Sequence, residues 1–323
     1  MRRVLLLTDA GMGAHAAPGH PERPERLDPV ADGVADGAAA TGAELLREPV
    51  TPIADEDLHR VHPAAYVRVL DDAAAAGGGW IDADTFLGAE SMPAARLAAG
   101  AAVRAALAAA RGEVSVAFAV VRPPGHHAGR ERPNGFCLLN NVAVAVERLR
   151  ADRLATRVAV LDWDVHHGDG TQAIFDDDPD VWYGSTHQSP LYPGTGDRGE
   201  RGGGGAAGTK HNVPLSPGSG DVEFTAAWTG ELLPAVEAFA PNAILLSAGY
   251  DAHRDDPLAS LRVSEAGFRD VATAIGALAR RLGISGVAAV LEGGYDLDAL
   301  RGGAAATVSG LIEGLSGPAQ EGS

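Results

Sequence analysis

The chain has 323 residues, 46% of them hydrophobic, which is enough to bury a sizeable core within one large domain. Its 43 acidic side chains against 26 basic ones give a formal net charge of -17, which argues against nucleic acid as a partner and favours cationic ligands. A single cysteine, Cys137, excludes an internal disulfide, and the apolar run Val4-Leu5-Leu6-Leu7 is cut short by Asp9, so a cytoplasmic protein without membrane contact is expected.

In chain order, residues 3–7 predict a first strand, followed by a loop punctuated by Gly11, Gly13, Pro18, Gly19, Pro21 and Pro24. His15, His20, Glu22 and Arg26 fall in that loop, where polar side chains are ordinarily solvated. Leu58, Val61, Tyr66, Val67 and Leu70 make a helical stripe, with Pro63 suited to a first turn. Gly77-Gly78-Gly79 then breaks the chain before a polar stretch containing Asp82, Asp84 and Glu90, which reads either as the rim of a site or as plain surface. An alanine-rich helix is expected from about 93 to 111.

The apolar run 114–121 predicts a buried strand that leads directly into Arg122-Pro123-Pro124-Gly125-His126-His127. Two prolines and a glycine stiffen and sharpen that turn. Adjacent imidazoles diverge unless the backbone bends, so His126 and His127 each call for an acidic partner that fixes the tautomer. A helix follows, capped by Asn140 or Asn141.

The centre of the chain is Leu161-Asp162-Trp163-Asp164-Val165-His166-His167-Gly168-Asp169-Gly170, which follows the apolar strand residues 157–160. Asp162, Asp164 and His166 occupy alternate positions and face one way for as long as the backbone stays extended. Carboxylates crowded at a sheet end are costly unless a cation neutralises them.

A further strand over 180–184 ends in Ser185, Thr186 and His187. Beyond it, Leu191 to Gly196 and the run Gly202 to Gly205 read as a flexible loop; these glycines neither follow a strand closely nor open a helix, so they do not cradle phosphate. The strand 243–248 delivers Asp251, a helix from Ser264 stops at Gly283, and the strand 287–291 delivers Glu292-Gly293-Gly294-Tyr295 before a last helix. Strands alternating with helices predict an α/β fold, a mainly parallel central sheet with helices on both faces, as a single domain over residues 1–316 with a disordered tail from 317 to 323.

Such sheets bind ligands outside the carboxyl ends of their strands, where His126, His127, Asp162, Asp164, His166, Asp251 and Tyr295 are expected to gather. Asp164, His166 and Asp251 form an open set of oxygen and nitrogen donors acceptable to Zn2+, Fe2+ or Mn2+. A Lewis acid beside two proton-shuttling imidazoles and a tyrosine oxyanion donor is the equipment of an amide hydrolase.

These motifs, with His20-Pro21-Glu22-Arg23-Pro24-Glu25-Arg26, resemble the histone deacetylase and acetylpolyamine amidohydrolase superfamily of arginase-like fold, over nearly the whole chain. The resemblance implies Asp164, His166 and Asp251 as zinc ligands, His127 as general base and acid, and His126 as its electrostatic or proton-donating neighbour. It implies Asp162 and Asp169 as the partners of His126 and His127, and Tyr295 as the carbonyl-polarising tyrosine. Gly135, Phe136 and Tyr192 would wall a narrow tunnel for a linear acyl-lysine stem. A structural K+ would be held by Asp162, Asp164, the carbonyls of His166 and Thr186, and Ser185, while Arg26 would line an internal channel for acetate. The Pro-Pro-Gly-His-His-Ala and Ser-Ala-Gly-Tyr-Asp-Ala patterns resemble class II and bacterial deacetylase-like members more than class I.

Leu258 stands where polyamine-selective relatives carry an acidic gatekeeper, which ranks acylated lysine peptides or small acyl-lysines ahead of acetylpolyamines. A polyamine preference would point instead to the acids of the Asp82 to Glu90 stretch. An arginase-type ureohydrolase needs a second metal, yet only one Asp-x-His set is present and Ala252-His253, not a second acid, follows Asp251. A non-catalytic binding module would lack the reacting tyrosine, and Tyr295 is in place. The sequence leaves a homo-oligomer open.

Overall fold

The protein is described by a computed structural model covering residues 2–317, so the expected tail after Gly317 lies outside the described residues. The strands are β1 (Arg3–Leu7), β2 (Glu44–Arg47), β3 (Gly79–Trp80), β4 (Phe86–Leu87), β5 (Val116–Ala119), β6 (Val158–Asp162), β7 (Val181–Gln188), β8 (Lys210–Leu215), β9 (Ala243–Ala248) and β10 (Val287–Leu291). Eight of them form one sheet in the order β2-β1-β5-β10-β9-β6-β7-β8, and every pairing in it is parallel. β3 and β4 form a separate antiparallel ribbon.

All residues of β5, β6, β7, β9 and β10 are buried, as a sheet covered on both faces requires. The helix Leu297–Ser316 packs against both Leu27–Ala40 and Glu265–Arg281, and Ser91–Ala110 packs with Asn141–Ala151. Small residues set these distances. A side chain at Gly314 would strike the carbonyl oxygen of Thr273, so the last two helices touch backbone to backbone. Ser91–Ala110 is alanine-rich, which favours helix and lets it lie close over β5 and β10.

Several segments differ from the sequence expectation. The strand expected over 114–121 narrows to Val116–Ala119, although Ser115 and Val120 still donate to the carbonyls of Arg3 and Leu7. The strand after Asp180 runs on to Gln188, because it pairs with β8 along its whole second half. Not all polar residues of the loop after β1 are solvated: His15, Glu22 and Arg26 turn inward and are buried. Asn140 caps its helix, accepting the Ala143 N–H at 3.0 Å. No described helix is long and apolar enough to cross a membrane.

Candidate active site

The four strands β5, β10, β9 and β6 are neighbours in the middle of the sheet, and their carboxyl ends carry the chemistry-bearing residues. β6 ends at Asp162 rather than extending through His166. Trp163, fully buried, turns the other way into Phe268, Phe224 and Trp228, with ring centroids 5.7, 6.4 and 6.5 Å distant. Anchoring Trp163 in that cluster fixes the flanking Asp162 and Asp164 on the site side, with each aromatic contact contributing about 0.5–1.5 kcal/mol.

The two acids separate in function once the strand ends. Asp162 Oδ2 lies 3.0 Å from His126 Nδ1 and accepts the Tyr183 hydroxyl at 3.1 Å. Asp164 instead joins His166 and Asp251, the ligand atoms of all three lying within 4.8 Å of one another. His166 Nδ1 is 3.1 Å from Asp164 Oδ1 and 3.2 Å from Asp251 Oδ2. Asp164 Oδ2 accepts the Gly293 N–H at 2.7 Å, and Asp251 Oδ1 accepts the Val165 N–H at 2.9 Å. Although His166 Nδ1 lies near it, Asp251 Oδ2 is buried with no aligned hydrogen-bond donor among the described residues. A Cβ at Gly293 would collide with both carboxylates, which accounts for glycine there.

This trio is built for positive charge. Burial opposes protonation of His166, yet Asp164 and Asp251 raise it to about 10. Burial and the Asp164 charge push Asp251 above the usual carboxylate range, whereas His126 and His166 overcome burial to hold Asp164 well below it. An orphaned carboxylate oxygen, a second carboxylate and an imidazole fit a divalent cation of the zinc, iron(II) or manganese class.

His126 and His127 lie side by side with centroids 4.0 Å apart, each with its own acid. His127 Nδ1 is 2.7 Å from Asp169 Oδ1, whose other oxygen accepts from Asn134 at 3.2 Å. Because a carboxylate only accepts, the shared proton sits on Nδ1 and leaves Nε2 of His127 with a free lone pair. Burial and the neighbouring His126 lower His127 to about 3, so it is neutral near pH 7. His126 goes the other way: burial opposes its charge, but Asp164, Asp162 and Glu292 raise it well above its ordinary value.

A cavity of about 250 Å³ leads to these groups and is lined by His126, His127, Asp164, His166 and Tyr295 at its inner end. Gly135, Phe136, Tyr192 and Leu258 line it too, and Tyr192 and Leu258, 39% and 38% exposed, mark its mouth. Gly135 and Phe136 have φ of +51° and +69°. A side chain at Gly135 would meet the His127 ring at 2.6 Å, so this left-handed turn brings backbone against the imidazole. Tyr295 is buried, its ring edge-on to Phe136 at 5.9 Å, and burial keeps its hydroxyl protonated.

Arg26 lies beneath the tyrosine loop, 5.1 Å from the Tyr295 ring, donating to the carbonyls of Gly294 at 2.6 Å and Glu292 at 2.5 Å. Ser185 sits beside Asp162 in the β6–β7 register, its hydroxyl 3.0 Å from His187 Nδ1, and Thr186 accepts the Trp228 indole N–H.

Sequence reasoning passed over several residues of this region. Asp84, left undecided between rim and surface, lines the cavity, as do Pro124, Leu191 and Gly293. His20 holds the Asp84 segment by facing its carbonyl at 3.1 Å and packs edge-on to Phe136 at 4.5 Å. Glu292 accepts the N–H groups of Gly125 and His126 at 2.7 and 3.1 Å, shaping the histidine turn from below. Burial pushes it up to about 7, the charge of His126 opposing.

The histone deacetylase domain model matches residues 20–311. The chain belongs to the histone deacetylase family. A probable deacetylase of Archaeoglobus fulgidus is 41% identical over 302 residues, covering 93% of this chain and 82% of that protein. A histone deacetylase-like amidohydrolase of Pseudomonas aeruginosa is 41% identical, covering 87% of this chain and 73% of its own length. The crystal structure of an acetylpolyamine aminohydrolase from Burkholderia pseudomallei superposes with a TM-score of 0.84 at 30% identity, covering 95% of this chain and 98% of the other. As a member of this deacetylase family, the chain is a hydrolase acting on amide bonds.

Proposed function

We propose that this deacetylase-family enzyme removes acetyl or related acyl groups from lysine side chains in peptides or small acyl-lysines, within one catalytic domain. The carrying observation is that the Asp164 and His166 donors, the neutral His127 and the Tyr295 ring line the same slim cavity. Facing aromatic walls at Phe136 and Tyr192 favour a linear methylene stem over a branched one.

Asp164, His166 and Asp251 would hold the metal, zinc in this reading with iron(II) or manganese fitting the same donors. When bound, it supplies Lewis-acid polarisation of a water and of the acyl carbonyl. His127 Nε2 takes a proton from the attacking water and returns it to the leaving amine nitrogen, while Asp169 holds Nδ1. His126, kept charged by its carboxylate neighbours, stabilises the negative charge developing beside it. Tyr295 donates its hydroxyl hydrogen to the acyl oxygen. Asp162 at the end of β6, Asp164 beyond it, Ser185 within β7 and the carbonyls of His166 and Thr186 would hold a structural K+. Arg26 would face acetate on its way out.

Asp84 at the cavity favours a second reading, hydrolysis of acetylpolyamines, because its carboxylate supplies the charge that Leu258 lacks. The deciding experiment measures kcat/KM for an acetyl-lysine peptide against N-acetylputrescine and N-acetylspermidine. The peptide is expected to be the better substrate. A polyamine preference above about tenfold, roughly 1.4 kcal/mol of transition-state discrimination, selects the second reading.

A further inference from the structure

Between Asp251 and the cavity mouth lies the loop Arg254-Asp255-Asp256-Pro257-Leu258, whose sequence looks like an ordinary acidic turn. Asp256 nevertheless points inward and is only 7% exposed. Its Oδ1 accepts the N–H of Leu258 at 2.9 Å, an Asx turn closed across Pro257. Its Oδ2 accepts the N–H of Tyr295 at 2.7 Å, a residue that reaches the site from a different strand. Burial and the charge of Asp251 push this carboxyl up to about 7, a cost set against its charged form. Backbone amides, not a cation, compensate it.

We propose that Asp256 is a positioning residue that sets Tyr295 and Leu258 in a fixed relation, coupling the tyrosine hydroxyl to the rim where substrate enters. Arg26 grips the carbonyls of Glu292 and Gly294 from one side, and Asp256 grips the next amide from the other. Between them they restrain a loop whose Gly293-Gly294 pair, with φ of +113° at Gly294, has no intrinsic stiffness. A carboxyl group offers an acceptor oxygen to each of two converging N–H groups; an amide of equal size turns one of them into a donor. The catalytic half of this inference rests on Tyr295 acting in amide hydrolysis as proposed above, while the structural half does not.

The test compares the parent, Asp256→Asn, Tyr295→Phe and the double variant in metal-loaded protein, with melting temperature and metal content measured for each. Hydrogen exchange by mass spectrometry reads the latch without reference to activity: the amides of Tyr295 and Leu258 are expected to lose protection together in Asp256→Asn, other segments remaining as in the parent. For a short acyl-lysine substrate, Asp256→Asn should lower kcat by about tenfold or more with a smaller change in KM, because misplacing a reacting group acts on the transition state. The same substitution in the Tyr295→Phe background should change kcat by less than about twofold, since coupled residues are non-additive. Unchanged exchange at both amides, or equal losses of kcat in the two backgrounds, overturns the proposal. If the parent hydrolyses no acylated amine, the hydrolase reading falls while the exchange data still decide the latch.

Discussion

Glu22 takes both arms of Arg122, whose Nε and Nη2 each lie 2.6 Å from a carboxylate oxygen, with neither side chain exposed to solvent. Arg26 adds a third contact to the same carboxylate at 2.9 Å. The pair ties the first loop to the residue that opens the histidine turn, and so braces the catalytic end of β5 from outside the cavity. Burial alone would raise the Glu22 carboxyl, but the two guanidinium groups lower it from 4.5 to about 2. A depressed folded-state value contributes stability that is complete above about pH 4.5 and is lost as the pH falls towards 2. Glu22→Gln is expected to cost about 3–5 kcal/mol near pH 7, since it strands two buried cations, and to flatten the acid limb of stability. Urea midpoints measured from pH 7 down to pH 3 check both statements.

His62 is a second pH-sensitive brace. Its Nε2 accepts the Asn140 N–H at 2.9 Å and its Nδ1 faces the Arg130 carbonyl at 3.0 Å, so the neutral ring with hydrogen on Nδ1 satisfies both. Burial lowers it to about 4 from 6.5. The unfolded chain therefore binds the proton more readily, and this contribution to stability is present above pH 6.5 and is lost as the pH falls through 4. His62→Gln should reduce the slope of stability against pH between 6.5 and 4, measured by chemical denaturation; an unaltered slope assigns the titration elsewhere.

Removing the metal should abolish turnover reversibly. Dialysis against a chelator, with metal loss verified by elemental analysis, is expected to leave a folded and inactive protein, and adding zinc or iron(II) to restore it. Full activity in the stripped protein would exclude the proposed chemistry.

Tyr295→Phe keeps the ring against Phe136 and removes only the hydroxyl. The expected loss in kcat is ~10²- to 10³-fold, the usual cost of one oxyanion donor, with metal content intact. Hydrolysis of acetyl-lysine at the parent rate would reduce Tyr295 to a wall.

The polar clusters at strand ends were legible in the sequence because chemistry there is local: a buried apolar run followed at once by acids and imidazoles leaves few readings. The same rule missed β8, whose residues Lys210-His211-Asn212-Val213-Pro214-Leu215 contain no apolar run. Lys210 is buried through its own hydrogen bonds, to the carbonyl of Val181 at 2.8 Å and the Thr209 hydroxyl at 2.7 Å. The helix Leu27–Ala40 was hidden by Pro29, Gly33 and Gly37, the two glycines being dictated by a partner helix near the other end of the chain. Buried Glu22 and His15 were equally unreadable, and Arg26 was placed inside only by the family resemblance, since a polar loop residue looks solvated until its long-range partners are known. Asp256 failed for the same reason, its second partner lying in the segment after β10.

The strand order carries a consequence for how the chain is made. β5 and β6 are synthesised early, but they never pair with each other; β10 and β9, which appear last, insert between them. Until residues near 291 have emerged, the apolar edges of β5 and β6 stand open in the half-built sheet, each a template for wrong pairing. Pairings of such large sequence separation also form slowly. A ribosome-bound fragment ending before β9 therefore carries Asp164 and His166 but lacks Asp251, Tyr295 and a closed sheet centre, all of which come with the last two strands.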